Sequence, residues 1–391
     1  EEFILIGGEA PGWLSFEKEV ERAPEATPVP LSSNDPMTIN FTSGTTGNPK
    51  PVMHRHRWMY GHGRVTAHYW WAASGDDLVW ATTAPGWAKW YWAPLGVALN
   101  AGATQLMFHG RFEGDKFLEL LSRYKVTKLC ATPTEYRMLV QTPNLDRYNL
   151  SLVDALSAGE PLNQEPLEVI RKAFGVTIRD GYGQTESVCL VCNYPGLPPK
   201  PGSMGVPTPG PGATAIDESG EPVSRGEIGE IAVPVGSPGI FDGYWKDPEL
   251  TKEVFSGNWY RTGDLAHVDE DGYFFFSGRA DDVIKASGYR IGPFEVEDAL
   301  VSHPAVAEAA VVGAPHPVRG QIVKAFVILA RNYSPSDELI KQLQDHVKQV
   351  TAPYKYPREI EFLDELPKTA SGKIRRVELR KREAKRHGGG S

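Results

Sequence analysis

Six consecutive small or hydroxylated residues, Thr42-Ser43-Gly44-Thr45-Thr46-Gly47, separate an alternating β-branched stretch, Met37–Phe41, from Asn48-Pro49-Lys50. Such a run cannot fill a core, so the chain must display it as a loop at the end of the strand that Met37–Phe41 predicts. Its backbone N–H groups and hydroxyls can receive an anion, and Lys50 adds charge. A flexible surface loop is the plain alternative. The Walker spacing fails because no Lys-Ser/Thr follows the second glycine at the required position, which disfavours a kinase or P-loop ATPase. A phosphate loop of another kind is expected.

Downstream, helical and strand-like segments alternate. A helix is expected over 53–73, a strand over Leu78–Thr83, and a helix over Phe112–Tyr124 with Phe117, Leu120, Leu121 and Tyr124 on one face. A strand follows at Lys128–Ala131, a helix at Pro166–Phe174 with proline in its first turn, and a strand at Val176–Arg179 that runs into a Gly-rich turn. This pattern gives an α/β fold: a large domain with mostly parallel sheets flanked by helices. Ligands of such sheets gather at the carboxyl ends of the strands. Residues 200–277 are rich in Pro and Gly with short strands at Glu230–Pro234 and Tyr273–Phe276, which reads as a small β-rich subdomain. Residues 282–380 return to a self-contained α+β pattern: strand 283–285, helix 293–302, strands 306–312 and 322–329, helix 335–349, strand 359–363, then a basic tail whose default is a solvated face. Pro28, Pro30 and Pro36 suggest an extended entry segment over 1–37. With 391 residues, two or three domains are expected: 1–280, then a mobile α+β domain over 282–382, with a linker-like tail at 388–391.

A formal charge of −8 does not favour nucleic acid as the main partner. No run of 18 apolar residues offers a membrane span. Three cysteines give no disulfide framework and fit a reducing, cytoplasmic setting. Cys189 and Cys192 form a C-x-x-C without a second pair, weak ground for zinc or redox chemistry. His54 and His56 form an H-x-H without an evident third ligand, so a structural or phosphate-proximal role is expected. Trp58, Trp70, Trp71, Trp80, Trp87, Trp90 and Trp92 suit a core or an apolar pocket. The Lys89 stem is expected to pack on these aromatics with its head in solvent, pairing with a polar substrate group being the alternative.

Four further motifs carry chemistry. Asp180-Gly181-Tyr182-Gly183-Gln184-Thr185-Glu186 offers close backbone approach, a flat face for a base, and in Glu186 an oxygen ligand for magnesium. In Tyr260-Arg261-Thr262-Gly263-Asp264-Leu265 the aspartate can accept two hydroxyls, as a ribose supplies; an ordinary Asp turn is the alternative. Gly278-Arg279-Ala280-Asp281-Asp282 marks the junction with the last domain. Pro367-Lys368-Thr369-Ala370-Ser371-Gly372-Lys373-Ile374-Arg375-Arg376 sets Lys373 on a Ser-Gly turn.

These five motifs, in this order, resemble the adenylate-forming superfamily of acyl-CoA synthetases, peptide-synthetase adenylation domains and firefly luciferase. With Gly86-Trp87-Ala88-Lys89-Trp90 and Val350–Pro357 they are most similar to the acetyl- and medium-chain acyl-CoA synthetases, over about residues 36–382. The resemblance implies a ligase that activates a carboxylic acid with Mg-ATP to an acyl adenylate and passes the acyl group to CoA. The other readings are a nucleotide-binding fragment and an enzyme that loads a carrier protein. It implies that Thr42, Ser43, Gly44, Thr45, Thr46, Gly47 and Lys50 hold the β- and γ-phosphates. Thr185 would meet the α-phosphate and Glu186 the magnesium. Gly159-Glu160-Pro161 and Asp180, Gly181 and Tyr182, with Gly183 and Gln184, would frame the adenine; Asp264 and Arg279 would hold the ribose. Lys373 would bridge carboxylate and α-phosphate. Gly86 and Trp87 would line the acyl pocket, which is expected to take a bulky, branched or medium-length group. A rotation about Asp281 would withdraw Lys373 and bring up Gly288 and Arg290, with Lys348 for a CoA phosphate. The resemblance also implies that the large domain extends before Glu1, so that a complementing N-terminal fragment or a homo-oligomer would cover exposed apolar surface.

Overall fold

The computed structural model describes residues 3–42, 49–83, 86–160, 164–198, 200–286, 289–369 and 373–387. The chain divides into two compact units, residues 1–35 and 36–391. In the first, Ile4–Leu5 and Leu14–Ser15 pair in parallel. A helix, Phe16–Arg22, then starts where Ser15 accepts the Lys18 N–H and Glu17 and Glu19 occupy the first turn. The extended reading of 1–37 therefore fails over this helix, which a side-chain cap and acidic first turn start without any apolar periodicity.

The centre of the second unit is a seven-stranded sheet. Its strand order is Val206–Pro207, Cys189–Cys192, Ile178–Gly183, Asp154–Ser157, Lys128–Ala131, Leu78–Ala81, Thr104–Gln105. Pairs from Ile178–Gly183 to Thr104–Gln105 are parallel, and the other two are antiparallel. Side chains alternate between faces. Val79, Ala81, Cys130 and Leu156 pack with Trp58, Trp70, Trp71 and Trp92. Trp80, Leu129, Ala131, Ala155 and Ile178 pack with Phe117, Leu118 and Leu121 of the helix Gly114–Tyr124. Burial on both faces is why these strands read as continuous apolar runs. The α/β architecture expected from the sequence holds.

Two local expectations change. Residues 51–55 are a strand, not the start of a helix: Pro51–Arg55 pairs antiparallel with Pro36–Phe41 and with Gly243–Tyr244. Val52 and His54 are buried in a period-two pattern that the search for a helix hid. Helix begins at Arg57 and continues over His62–Trp71 in the wider π form. The loop at 42–50 thus joins two strands of a hairpin. Likewise Gly181 and Gly183 lie inside the strand Ile178–Gly183, not in a turn after it. A Cβ at Gly183 would stand 2.5 Å from the Val188 carbonyl oxygen, so glycine serves close packing there.

The β-rich part is an antiparallel sheet of Thr214–Ile216, Ile228–Pro234, Trp259–Val268 and Phe255–Ser256, with Phe274–Arg279 also paired to Trp259–Val268. Residues 284–387 build their own sheet, in the order Tyr289–Ile291, Ile284–Ala286, Gly320–Leu329, Val306–His316, with Glu359–Phe362 parallel to Gly320–Leu329. The basic tail is not a solvated run. Arg376–His387 is a helix that buries Leu379 against Val312 and Phe326. Arg376 Nη2 lies 2.6 Å from Glu297 Oε2 and Arg380 pairs with Asp282. Lys324 Nζ meets the fully buried Glu383 at 2.9 Å. Those acidic partners are remote in sequence, so the charge run alone could not reveal them. Among the described residues no helix is long and apolar enough to cross a membrane.

Candidate active site

One cavity of about 1100 Å³ gathers residues from the hairpin neck, the carboxyl-end region of the central sheet, the β-rich sheet and the last hundred residues. At its centre is Asp264, buried on Trp259–Val268 directly across the ladder from Arg279. Tyr182 O–H and Gln184 Nε2 donate to Asp264 Oδ2 at 2.7 and 2.6 Å. Gln184 Nε2 also donates to the Thr262 carbonyl at 2.8 Å, and Tyr260 O–H donates to Gln184 Oε1 at 2.6 Å. This fixes one carboxylate oxygen with two donors. The other, Oδ1, stands 3.9 Å from Arg279 Nε, which has no hydrogen-bond partner. The site therefore holds a buried anion and a half-buried cation, whose Nε is itself buried, that do not fully satisfy each other.

Next to it, Glu186 accepts the Tyr244 O–H at 2.9 Å, and burial raises its carboxyl above the usual range. The preceding Thr185 carbonyl accepts from His54 Nε2 at 2.7 Å. Burial pushes the His54 imidazole down to about 4, so the ring is neutral and its one proton sits on Nε2. His54 thus pins the backbone at Thr185, which is a structural role. Among the described residues neither His54 nor His56 joins a three-residue group with metal-ligand geometry. Lys50 and Thr42 close the hairpin neck: Thr42 N–H donates to the Lys50 carbonyl at 3.1 Å, and Lys50 N–H to Thr42 Oγ1 at 3.0 Å. Lys50 Nζ lies 5.5 Å from the Tyr244 ring centroid. Ser43, Gly44, Thr45, Thr46 and Gly47 fall outside the described residues, as do Pro161 and Gly288.

On the far wall, Gly159 takes φ +99°, a left-handed turn at the end of Asp154–Ser157. Glu160 accepts from Thr134 Oγ1 at 2.7 Å. Asp180 accepts the Gly181 N–H at 2.9 Å, and burial lifts its carboxyl to about 7. Gly181 is needed for a different reason: a Cβ there would come within 2.3 Å of the Trp70 indole. Gly86, at φ +99°, leads into Trp87 and the short helix Ala88–Trp92. Trp70, Trp87 and Trp92 line the cavity, whereas Trp58, Trp71 and Trp80 are core. Lys89 is not solvated as expected. It is 7% exposed, its Nζ has no hydrogen-bond partner, and it too lines the cavity.

Lys373 enters this cavity from the last part of the chain, with Nζ 5.4 Å from the Trp87 ring centroid. Burial lowers its pKa, opposed by the charges of Glu160 and Asp264. Thr369 N–H donates to the Lys373 carbonyl at 2.8 Å, and Lys373 N–H to Thr369 Oγ1 at 3.1 Å. Asp281, in the single turn Ala280–Asp282, lines the cavity where the last hundred residues begin. Arg290 and Lys348 are elsewhere. Arg290 pairs with Glu218 at 3.1 Å, and Lys348 pairs with Asp345 at 2.8 Å and covers the Tyr356 ring.

Residues 4–245 match the family model described as AMP-binding enzyme, and residues 295–373 match the AMP-binding enzyme C-terminal domain. The chain belongs to the AMP-binding enzyme family. It is 53% identical over 384 residues to the uncharacterized acyl–CoA ligase YtcI of Bacillus subtilis, covering 97% of this chain and 72% of that one. It is 45% identical over 381 residues to the mitochondrial acyl-coenzyme A synthetase ACSM3 of Mus musculus, covering 95% of this chain and 65% of that one. Among solved structures, the anthranilate CoA ligase AuaEII in complex with anthranoyl-AMP superposes with a TM-score of 0.89 at 34% identity, over 99% of this chain and 74% of that one. By these relationships this AMP-binding enzyme is an AMP-forming acid–thiol ligase, of the kind that uses ATP, magnesium and CoA.

Several site residues escaped the sequence reading. Tyr260 stands at the head of its motif, so its position beside Asp264 was open to notice. Tyr244, which positions Glu186, and Thr134, which holds Glu160, are distant in sequence and carry no spacing signal. His62, on the cavity wall, carried no signal that set it apart from a core residue, and Trp70, for which core and pocket were both open, lines the cavity.

Proposed function

We propose that this one cavity serves both halves of the ligase reaction: attack of a carboxylate on the α-phosphate of ATP, releasing pyrophosphate, then displacement of AMP by the CoA thiol. The observation that carries this reading is the Lys373 ammonium, buried beside Trp87 in the same cavity as Asp264, Arg279 and Glu186. A fixed cation there offsets repulsion between two anions brought together away from water. Asp264, with Oδ2 already held by Tyr182 and Gln184, offers Oδ1 to a ribose, and Arg279 assists. Gly159, Glu160 and Asp180 to Gln184 frame the base. Thr185 meets the α-phosphate. Residues 42–47 and Lys50 take the outer phosphates. Glu186 suits magnesium: it is a buried carboxylate on the cavity wall, held by the Tyr244 hydroxyl, and burial outweighs its donors and the nearby charges of Lys50 and Arg279. When bound, magnesium neutralises phosphate charge. Trp87 faces the acyl group, and Gly86, which does not itself line the cavity, makes the turn that leads into it.

Arg290, Lys348 and Gly288 belong to a second arrangement, reached when residues 282–382 turn about Asp281. The separate family models on either side of Asp281, and the independent sheet of residues 284–387, support that boundary. Three free, buried cysteines support a cytoplasmic setting.

ATP–pyrophosphate exchange with a panel of short, branched, medium-chain and aromatic acids tests the reading. Exchange with at least one acid is expected, and Lys373→Ala should lower it by about a hundredfold or more. Normal exchange in that variant would sink the role given to Lys373. A chain that binds ATP yet exchanges with no acid would instead be a nucleotide-binding module.

A further inference from the structure

The acyl end of the cavity is walled by Trp70, Trp87 and Trp92, which suits an apolar group. Yet three buried polar atoms on that wall have no hydrogen-bond partner: Lys89 Nζ, His62 Nε2 and Trp70 Nε1. Trp58 and Trp71 also have unpartnered indoles, but they do not line the cavity and carry no part of the argument.

The His62 ring is held at Nδ1 by Thr66 Oγ1, 2.9 Å away, and burial keeps it neutral, which leaves Nε2 free to meet a ligand. Lys89 Nζ and Trp70 Nε1 are donors by their chemistry.

Lys89 weighs most. The acidic side chains around it are committed elsewhere. Glu135 accepts from Thr82 Oγ1 at 2.7 Å and from the Thr132 N–H at 2.7 Å; Glu160 accepts from Thr134; Asp180 accepts from Gly181 N–H. None forms an ion pair with Lys89 within 4.0 Å. The charge of Lys89 is felt both by the fully buried Cys130 thiol of the central sheet and by Lys373, so its head stands within electrostatic reach of both. Buried polar atoms without partners are rare in folded proteins, and two donors, Lys89 Nζ and Trp70 Nε1, with an unpartnered His62 Nε2 among the residues lining one substrate cavity point to a ligand that supplies acceptors. A purely alkyl chain would leave all three unsatisfied.

Resting on the acid-activation reading above, we propose that the acid this enzyme activates carries an oxygen acceptor on its acyl chain, received by Lys89 with His62 and Trp70 at hand. The shared chemistry is an oxygen remote from the reacting carboxylate: a hydroxyl, a keto group or a second carboxylate.

The test compares straight-chain acids with length-matched hydroxy, keto and dicarboxylic acids, in the wild-type chain and in Lys89→Met. Two readouts are used: kcat/KM for pyrophosphate exchange, and the thermal shift each acid produces. At least one oxygenated acid is expected to exceed its alkyl partner by about tenfold or more in kcat/KM, and Lys89→Met should erase that ratio. The preferred member names the oxygen. Equal or better use of the alkyl acids, or a ratio unchanged in Lys89→Met, overturns the proposal. So does an equal fall for both acid types, which would place Lys89 at the reacting carboxylate. If no acid supports exchange, the functional reading falls, and the thermal shift still decides this one. Stabilisation by the oxygenated acid that is lost in Lys89→Met upholds it, and equal stabilisation by alkyl and oxygenated acids refutes it.

Discussion

Gly181 offers the sharpest mechanical test of the cavity. A Cβ at this position would lie 2.3 Å from Trp70 Cε2, 2.6 Å from Cζ2 and 2.7 Å from Nε1. Ordinary contact begins near 3.4 Å, so the indole would have to retreat by 3.4 − 2.3 = 1.1 Å. It has little room. Trp70 is 1% exposed, with the Trp71 ring 6.3 Å and the Trp92 ring 6.5 Å away. Gly181→Ala should therefore cost about 1–3 kcal/mol, the usual range for overpacking a close-packed interior. Urea unfolding measures it. A double-mutant cycle with Trp70→Leu isolates the cause, because removing the indole should remove the clash and leave the alanine nearly neutral. The argument is refuted if Gly181→Ala unfolds within about 0.5 kcal/mol of wild type, the usual spread for harmless changes. It is equally refuted if the full cost persists in the Trp70→Leu background.

Three other outcomes follow from the geometry. Burial raises the Asp180 carboxyl from 3.8 to about 7, so the folded chain keeps a proton that the unfolded chain releases. The associated stability is complete below about pH 4 and is lost as pH rises to about 7. Asp180→Asn should flatten that fall, gaining at most about 4 kcal/mol at neutral pH, and identical pH–stability curves would contradict the burial argument. Asp264→Ala strands the donors of Tyr182 and Gln184, and ATP affinity by calorimetry should drop about 10- to 100-fold, that is about 1.4–2.8 kcal/mol; unchanged affinity would remove Asp264 from the nucleotide site. Arg376→Met leaves the buried Glu297 carboxylate without its cation and should cost about 3 kcal/mol in denaturant. A loss under about 1 kcal/mol would show that the Val311 N–H alone satisfies Glu297.

The parallel core of the fold was legible because strands buried on both faces, such as Lys128–Ala131, must be apolar throughout. The C-terminal α+β order was legible for a similar reason: Leu339, Leu343 and Val347 keep helical spacing. The strand Pro51–Arg55 was not, because its buried period-two residues include a histidine, which reads as polar. The C-terminal helix was hidden by its charge, since its partners Asp282, Glu297 and Glu361 are supplied from far along the chain. In the site, residues within compact motifs, Asp264 and Glu186 among them, could be named. Tyr244, which positions Glu186 from another sheet, could not, and for His54 the sequence suggested a structural role but not its partner, because only the folded chain makes these residues neighbours.

The attachment of Lys373 constrains how its charge can be delivered. Lys368 and Ile374 bridge as neighbouring chains, and Lys368 Nζ is tied to Glu308 at 2.7 Å. Ile374 packs with Leu379 and Val312, and Arg380 of the same helix is pinned to Asp282. The residues flanking the lysine, Lys368 and Ile374, are thus attached to the C-terminal sheet. Glu308, Ala309 and Pro293, which wall the cavity, belong to that same sheet and its helix. A movement of that sheet against the rest of the cavity would therefore carry the ammonium and this part of the wall together.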